Sequence, residues 1–509
     1  MLKLEEVAEA LRLRTWSVDC PIMTLKPLKN YSSIEYEGCG YFKQAVNGSI
    51  SYKLYSMQPL GFAPHSIFPQ MVAGRILSDD FYHQLDTVDV EGTTWRVQRT
   101  MPSISTNSMD NRQFNLATGQ AYELLIICER IQNFSSLKIM FFTDERVPEN
   151  ASTEVKTKTP DGGWTSSSSL DTSVFSTSSG DFSIFNRPGM LVVKVVCPGK
   201  FPKHFETRIV EALSFVLAKP LAWNVLECVE DGVETVRLRG KQKGVDAKLL
   251  PPTATDTIDM SGGGVWRLFD KYLTMVSAHT TPDFHPCSRH VFSVLDASAG
   301  TIYARGLALG VAVEGIVKDL FPDAAALPPT LKPAVQQLRS YFQDWPGFND
   351  EATKKALFKR VEDMLGNIMN VSAKSRLIAL AKQGAVHERH IELWGKLRNT
   401  TAHGVTQETD DFQPILNLCD GATVLMYHLI FRKVWYEGSC RDYSVHGYPT
   451  QHYRGRPPTE AEIAVSAYYL WKKANSRHGH DIEDWFAAKA ELVTEIERTS
   501  GGLPTSALH

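Results

Sequence analysis

The chain has 509 residues, of which 43% are hydrophobic, 10% aromatic and 22% charged, with a formal net charge of −3. That composition is globular and excludes a low-complexity scaffold or a strongly basic polyanion binder, while the length implies two or three domains rather than one core. No segment approaches the roughly eighteen uncharged apolar residues of a membrane helix, and Met1-Leu2-Lys3-Leu4-Glu5-Glu6 puts acids where a signal peptide needs an apolar run, so a cytoplasmic protein with no membrane contact is expected.

Residues 1–255 read as a β-rich region. Leu4, Val7, Leu11 and Leu13 first give a short helix over 1–14. Asn47-Gly48 signals a turn, and the alternating Ile50, Tyr52 and Leu54 after it predict a half-buried strand. Further strands are predicted at 94–99, 124–128, 137–142, 190–196 and 233–238, and a helix at 205–217. Residues 164–180, rich in serine and threonine, read as a long exposed loop. The eight cysteines form no Cys-x-x-Cys pair; Cys128 and Cys197 lie in apolar runs and read as buried thiols. Ser261-Gly262-Gly263-Gly264 lacks the lysine of a phosphate loop and reads as a flexible turn.

Residues 256–295 read as a linker. They contain His279, His285, Cys287 and His290, side-chain types that zinc accepts. Their spacing fits no standard site, and Pro282 and Pro286 argue for a loop; a zinc-dependent hydrolase built on them stands as an alternative. From 296 to 437 the pattern turns helical. Helices are predicted from Thr301 to Phe321 and at 333–345, 351–369, 373–383, 386–399 and 411–436, with Asp410 and Asp411 as caps for the last. Such stripes imply a bundle. A second linker is expected at 438–456, and a helical hairpin at 457–495 starting after Pro457-Pro458-Thr459. The expected class is therefore α+β and multidomain.

One stretch concentrates chemistry: Leu393-Trp394-Gly395-Lys396-Leu397-Arg398-Asn399-Thr400-Thr401-Ala402-His403-Gly404. Ile391, Trp394 and Leu397 recur as one apolar helix face leading to Arg398. On a continuing helix Arg398 and His403 would stand about 140° and roughly 7.5 Å apart, which suits two points on a cleft wall better than one contact pair. The bare spacing is weak, because Arg441 and His446 repeat it in a stretch with Gly438, Gly447 and Pro449. The context is more specific. Arg-Asn-x-x-x-His-Gly on an amphipathic helix, ahead of a long apolar helix, resembles the signature of HEPN domains, over roughly 296–437. The β-rich region before it is similar, in order of parts, to sensor-like segments that precede HEPN domains in some bacterial anti-phage proteins. The tail pattern Ile…Ala-Tyr-x-Leu-Trp…Gly-His-Asp-x-x-Asp-Trp…Ala-Glu-Leu resembles a short bacterial family of uncharacterised helical hairpins.

The HEPN resemblance implies a metal-independent endoribonuclease, working as a homodimer through the bundle, in anti-phage defence by abortive infection or as a toxin. The RNA would be a tRNA or mRNA, the trigger a phage or cellular factor, and no cofactor is implied. RNA carries its own nucleophile, so the protein must supply a proton-transfer group and a cation for the phosphorane. Histidine and arginine suit these tasks. Arg398, Asn399 and His403 are the implied catalytic residues. Glu314, mid-helix in an apolar run, and Lys396 are candidates for a supporting polar shell. From Glu351 to Arg398 there are ten Lys/Arg against five Asp/Glu. Lys354, Lys355, Lys359 and Arg360 are thus candidate RNA contacts, the alternative being solvated helix faces. Without the resemblance, Arg398 would pair with Glu392 or Glu408 and His403 would cap its helix. A non-catalytic RNA- or nucleotide-binding or dimerisation module is the competing function.

Overall fold

The computed structural model of the chain describes residues 3–29, 35–59, 79–109, 112–129, 134–158, 164–240, 247–253, 263–345, 347, 350–402, 411–455, 460–473, 482–488 and 492. A helix, α1 (Leu4–Leu13), precedes the strands β1 (Ser17–Pro27), β2 (Tyr36–Gln44), β3 (Ile50–Pro59), β4 (His83–Val88), β5 (Thr94–Thr100), β6 (Ser103–Met109), β7 (Arg112–Gln120), β8 (Leu124–Glu129), β9 (Ser135–Phe141), β10 (Ala151–Lys158), β11 (Trp164–Thr177), β12 (Gly180–Arg187) and β13 (Met190–Cys197). Helix α2 (Phe205–Leu217) and strands β14 (Val225–Glu230) and β15 (Val233–Leu238) complete this half. Among the described residues these form one antiparallel sheet of fifteen strands, ordered β10-β11-β12-β13-β9-β14-β15-β8-β5-β4-β1-β2-β3-β7-β6. Its two halves meet where β5 touches β8 through the single pair Arg96 and Leu125.

Period-two alternation gives the second half of the sheet two buried faces. Leu137, Ile139 and Phe141 of β9 and Leu191, Val193 and Val195 of β13 join a core with the helices. Met140, Met190 and Val192, on the opposite face, join a separate core with α1, Trp16, Phe42, Tyr52 and Trp95. This two-sided burial is why Met190–Val196 is almost continuously apolar. The helical half comprises α3 (Gly263–Ser277), α4 (Pro286–Ser298), α5 (Ile302–Leu320), α6 (Leu331–Gln343), α7 (Glu351–Ile368), α8 (Ala373–Lys382), α9 (Glu388–Ala402) and α10 (Gln413–Val434), then a hairpin of β16 (Gly438–Arg441) and β17 (Thr450–Tyr453), and α11 (Glu460–Lys473). Helix α5 packs on α4, α9 and α10, α9 packs on α10, α3 packs on α2 and α10, and α6 pairs with α7. The described residues thus form an α+β architecture, a large antiparallel sheet followed by helices.

Several expectations need correction. The serine- and threonine-rich 164–180 is not a loop: β11 runs through it, paired with β10 and β12. The stretch read as a linker at 256–295 carries α3 and α4, both in the main core. Pro286 occupies the first turn of α4, where its missing N–H costs nothing, so the proline starts a helix rather than breaking one. The 438–456 segment forms the β16–β17 hairpin, pinned by the buried Tyr453, whose hydroxyl donates to the Ala385 and His428 carbonyls at 2.9 and 3.0 Å. Cys128 is exposed and Cys197 half-exposed, because they lie at the last but one position of β8 and the last of β13 rather than mid-strand. The capping position of α10 is Phe412, not an aspartate, although Asp411 just before it accepts from the Gln413 amide; Asp410 lies outside the described residues. Helix α10 is long and apolar enough by composition to cross a membrane, yet 78% of its most apolar window is buried inside the protein. It serves instead as the central helix of the bundle.

Candidate functional site

Helix α9 presents the site because its apolar face is fixed first. Ile391, Trp394 and Leu397 are buried against the bundle, which turns Arg398 outward at the helix flank. α5 and α9 lie close because Gly306 has no side chain: a Cβ there would meet Thr401 and Leu397 at 2.9 and 3.0 Å. One turn on, the Trp394 indole donates to the Gly310 carbonyl at 3.1 Å. These two contacts set the register that brings Glu314 of α5 to Arg398.

The Arg398 guanidinium lies 3.0 Å from Glu314 Oε2, and the Arg398 side chain remains 53% exposed. The other carboxylate oxygen, Oε1, accepts from Lys318 one turn further along α5 at 2.7 Å. The Lys318 hydrogen bond, reinforced by the charges of Arg398 and Lys318 and opposed by partial burial, holds Glu314 below the usual carboxylate range. Glu314 is therefore charged at neutral pH and fixes the arginine without burying it. Neither Glu392 nor Glu408 is needed for this pairing, and Glu408 lies outside the described residues.

The remaining candidates fall differently. His403 lies outside the described residues, which in α9 run to Ala402. Asn399 is exposed beside Arg398 on the helix. Lys396 is exposed too, but two residues turn a helix by about 200°, so it faces away from the Arg398–Glu314 pair. Lys354, Lys355, Lys359 and Arg360 sit on α7, whose partner is α6 through contacts that include Arg339 with Glu362 at 3.0 Å. They do not form one stripe. Lys355 and Lys359 share a face at i, i+4, Lys354 is half-buried, and Arg360 lies on the other flank beside the exposed Leu357 and Met364.

The histidine–cysteine cluster at 279–290 is dispersed into separate duties. His285 caps α4 by accepting from the Cys287 amide, His290 meets Asp319 at 2.9 Å, His279 meets Thr281 at 2.7 Å, and Cys287 is buried. No group of three such side chains among the described residues is arranged to hold a metal ion.

One group near α9 had no strong sequence signal. His390 is fully buried, with Nε2 3.0 Å from Ser444 Oγ and 3.7 Å from Asp442 Oδ1. Burial would raise the Asp442 carboxyl, but hydrogen bonds from His390 and Ser444 outweigh it and hold the group far below its usual range. His428 packs against His390, and burial together with the His390 charge pushes it down to about 3. A proton relay needs serine and carboxylate on opposite ring nitrogens. In this group both face the same nitrogen, and the ring is sealed from solvent. The group locks α9 to the β16–β17 hairpin, so the second Arg-x4-His stretch, 441–446, serves as an anchor for the first.

No curated protein and no solved structure matches the chain. One family model matches, over residues 458–493, and its description is "Protein of unknown function (DUF2934)". The C-terminal segment is thus similar to a family whose function is itself unknown, in keeping with the uncharacterised hairpin expected there.

Proposed function

We propose that the chain is a metal-independent endoribonuclease acting through Arg398 and His403, with a second copy supplying the other half of the cleft. The observation that carries this reading is the exposed Arg398, held by Glu314 at the end of α9 five residues before His403. In the proposed reaction the RNA 2′-hydroxyl attacks its own phosphorus and the bond to the 5′-oxygen breaks. His403 moves the proton and Arg398 holds the phosphorane charge. The products are a 2′,3′-cyclic phosphate and a 5′-hydroxyl. Asn399 takes the role of orienting the phosphate in this reading. The packing of α5, α9 and α10 around the motif supports a HEPN-like bundle, and the sheet would be the part that reads a trigger in phage defence.

Exposed apolar surface supports the paired state. Leu307 and Val311 are 48% and 60% exposed, and with Glu314 and Lys318 they form one stripe along α5 at i, i+4, i+7 and i+11. The charged half of the stripe holds Arg398; the apolar half, uncovered among the described residues, is where a second copy would pack. Val311→Glu should shift the protein from dimer to monomer in sedimentation and reduce RNA cleavage with it, while the thermal midpoint is nearly unchanged. The function itself is tested by incubating single-stranded RNA with the protein in excess EDTA: wild type should cut and His403→Ala should not.

A non-catalytic binding module is the second reading, and one observation favours it: Glu314 already neutralises Arg398. It predicts RNA binding without turnover, weakened by Lys355→Ala and Lys359→Ala more than by His403→Ala.

A further inference from the structure

A cleft of about 320 Å³ opens where α5 and α10 end, lined by Leu320, Phe321, Ala324, Leu380, Asp323, Gln383, Arg432, Lys433 and Trp435. Binding pockets for small molecules run from roughly 300 to 1,000 Å³, so this one suits a compact ligand. Trp435 at its rim is 66% exposed, and its backbone lies in the left-handed region at φ 55°. Glycine is the usual residue at such a helix end, because a Cβ there crowds the neighbouring carbonyl oxygen. Beneath the indole the Arg432 guanidinium stacks 4.4 Å from the ring centre, leaving the opposite ring face open. Arg432 Nη1 is buried without a hydrogen-bond partner among the described residues. The Lys433 ammonium uses one donor on the Leu320 carbonyl at 3.3 Å, and an ammonium has three.

We propose that this cleft binds a nucleoside phosphate. A flat base stacks on the open face of Trp435, which Arg432 braces from behind. Lys433 and Arg432 supply positive charge for the phosphate, and the Asp323 carboxylate can accept from ribose hydroxyls. The Gln383 amide offers a donor and an acceptor to the base edge, over a floor of Leu320, Phe321 and Leu380. Each group has a chemical counterpart in one nucleotide, and neither free phosphate nor an apolar ligand would use them all. The site is separate from Arg398: Glu314 lies six residues back along α5 from Leu320, about 9 Å. The proposal does not depend on the nuclease reading.

The test is calorimetric titration of the full chain with ADP, adenosine and inorganic phosphate. ADP should bind more tightly than either fragment. Trp435→Gly is the discriminating variant, because glycine relieves the backbone strain: its thermal midpoint should hold or rise while ADP affinity falls about tenfold or more, the value of one base–aromatic stack. Lys433→Gln should weaken ADP and leave adenosine unchanged. Arg398→Ala should bind ADP like wild type even if it abolishes RNA cleavage. No ADP binding at millimolar concentration, or equal affinity in Trp435→Gly, would overturn the proposal. So would phosphate binding as well as ADP. Binding of a short single-stranded RNA with none of ADP would also overturn it and assign the cleft to the RNA path.

Discussion

Arg208→Ala should cost the protein about 3–5 kcal/mol of stability, the usual loss when one partner of a buried ion pair is removed. Arg208 and Glu211 are fully buried one turn apart on α2 and in direct contact. The arginine also donates to the Thr281 and Asp283 carbonyls at 2.6 and 2.8 Å, which ties the α3–α4 connection to the sheet-packed helix. Glu211 accepts from Ser288 Oγ at 2.6 Å and from the His285 amide at 3.2 Å. Burial still dominates and pushes its carboxyl up to about 6, against the pull of Ser288, Arg208 and His285. Alanine at 208 would remove the cation that holds this carboxyl down, push it further up so that it is enclosed without a partner for its charge, and would strand two backbone carbonyls. Chemical denaturation should show the loss directly. The double variant Arg208→Met with Glu211→Leu should recover part of it, because no charge is then buried although the Thr281 and Asp283 carbonyls still lack their donor. A single variant within about 0.5 kcal/mol of wild type would mean that this ion pair does not join the two halves of the chain.

Arg398→Ala should behave in the opposite way, with a large loss of activity and little loss of stability. Its pair with Glu314 is at the surface, where such pairs contribute about 0–1 kcal/mol. Removing one preorganised group that stabilises a developing oxyanion costs roughly 10²–10³ in rate. Arg398→Lys should recover part of that rate, since it restores the charge but not the planar fork that matches two phosphate oxygens. Equal stability with cleavage rates unchanged in Arg398→Ala would remove Arg398 from the reaction. A large fall in the thermal midpoint would instead assign it a structural role.

Legibility in the sequence followed locality. α2 and β15 have the predicted ends because their periodicities are uninterrupted, and the predicted helices from α5 to α10 differ by no more than three residues at either end. β2, with Gly38 and Gly40, and β11, with its serine run, carry no apolar alternation; they are strands because neighbouring strands pair with them. The proline-bearing 282–290 stretch looked like a loop because proline both breaks helices and begins them, and only the packing of α4 on α5 decides which. At the site, Glu314 stood out as an acid in the middle of an apolar run. Its pairing with Arg398 depends on the antiparallel contact of α5 and α9, which no local pattern contains. His390 and Ser444 are 54 residues apart, and their contact is likewise a property of the fold.

The central claim is tested most directly by the ends of the cut RNA. An oligoribonucleotide and its copy with a single 2′-deoxy residue at the cut site are incubated with the protein in excess EDTA, and the products are analysed by mass. Attack by the 2′-hydroxyl predicts a 2′,3′-cyclic phosphate and a 5′-hydroxyl from the first, and no cut at the modified position in the second. Cleavage of the 2′-deoxy copy at that position, or products ending in a 3′-hydroxyl, would contradict it.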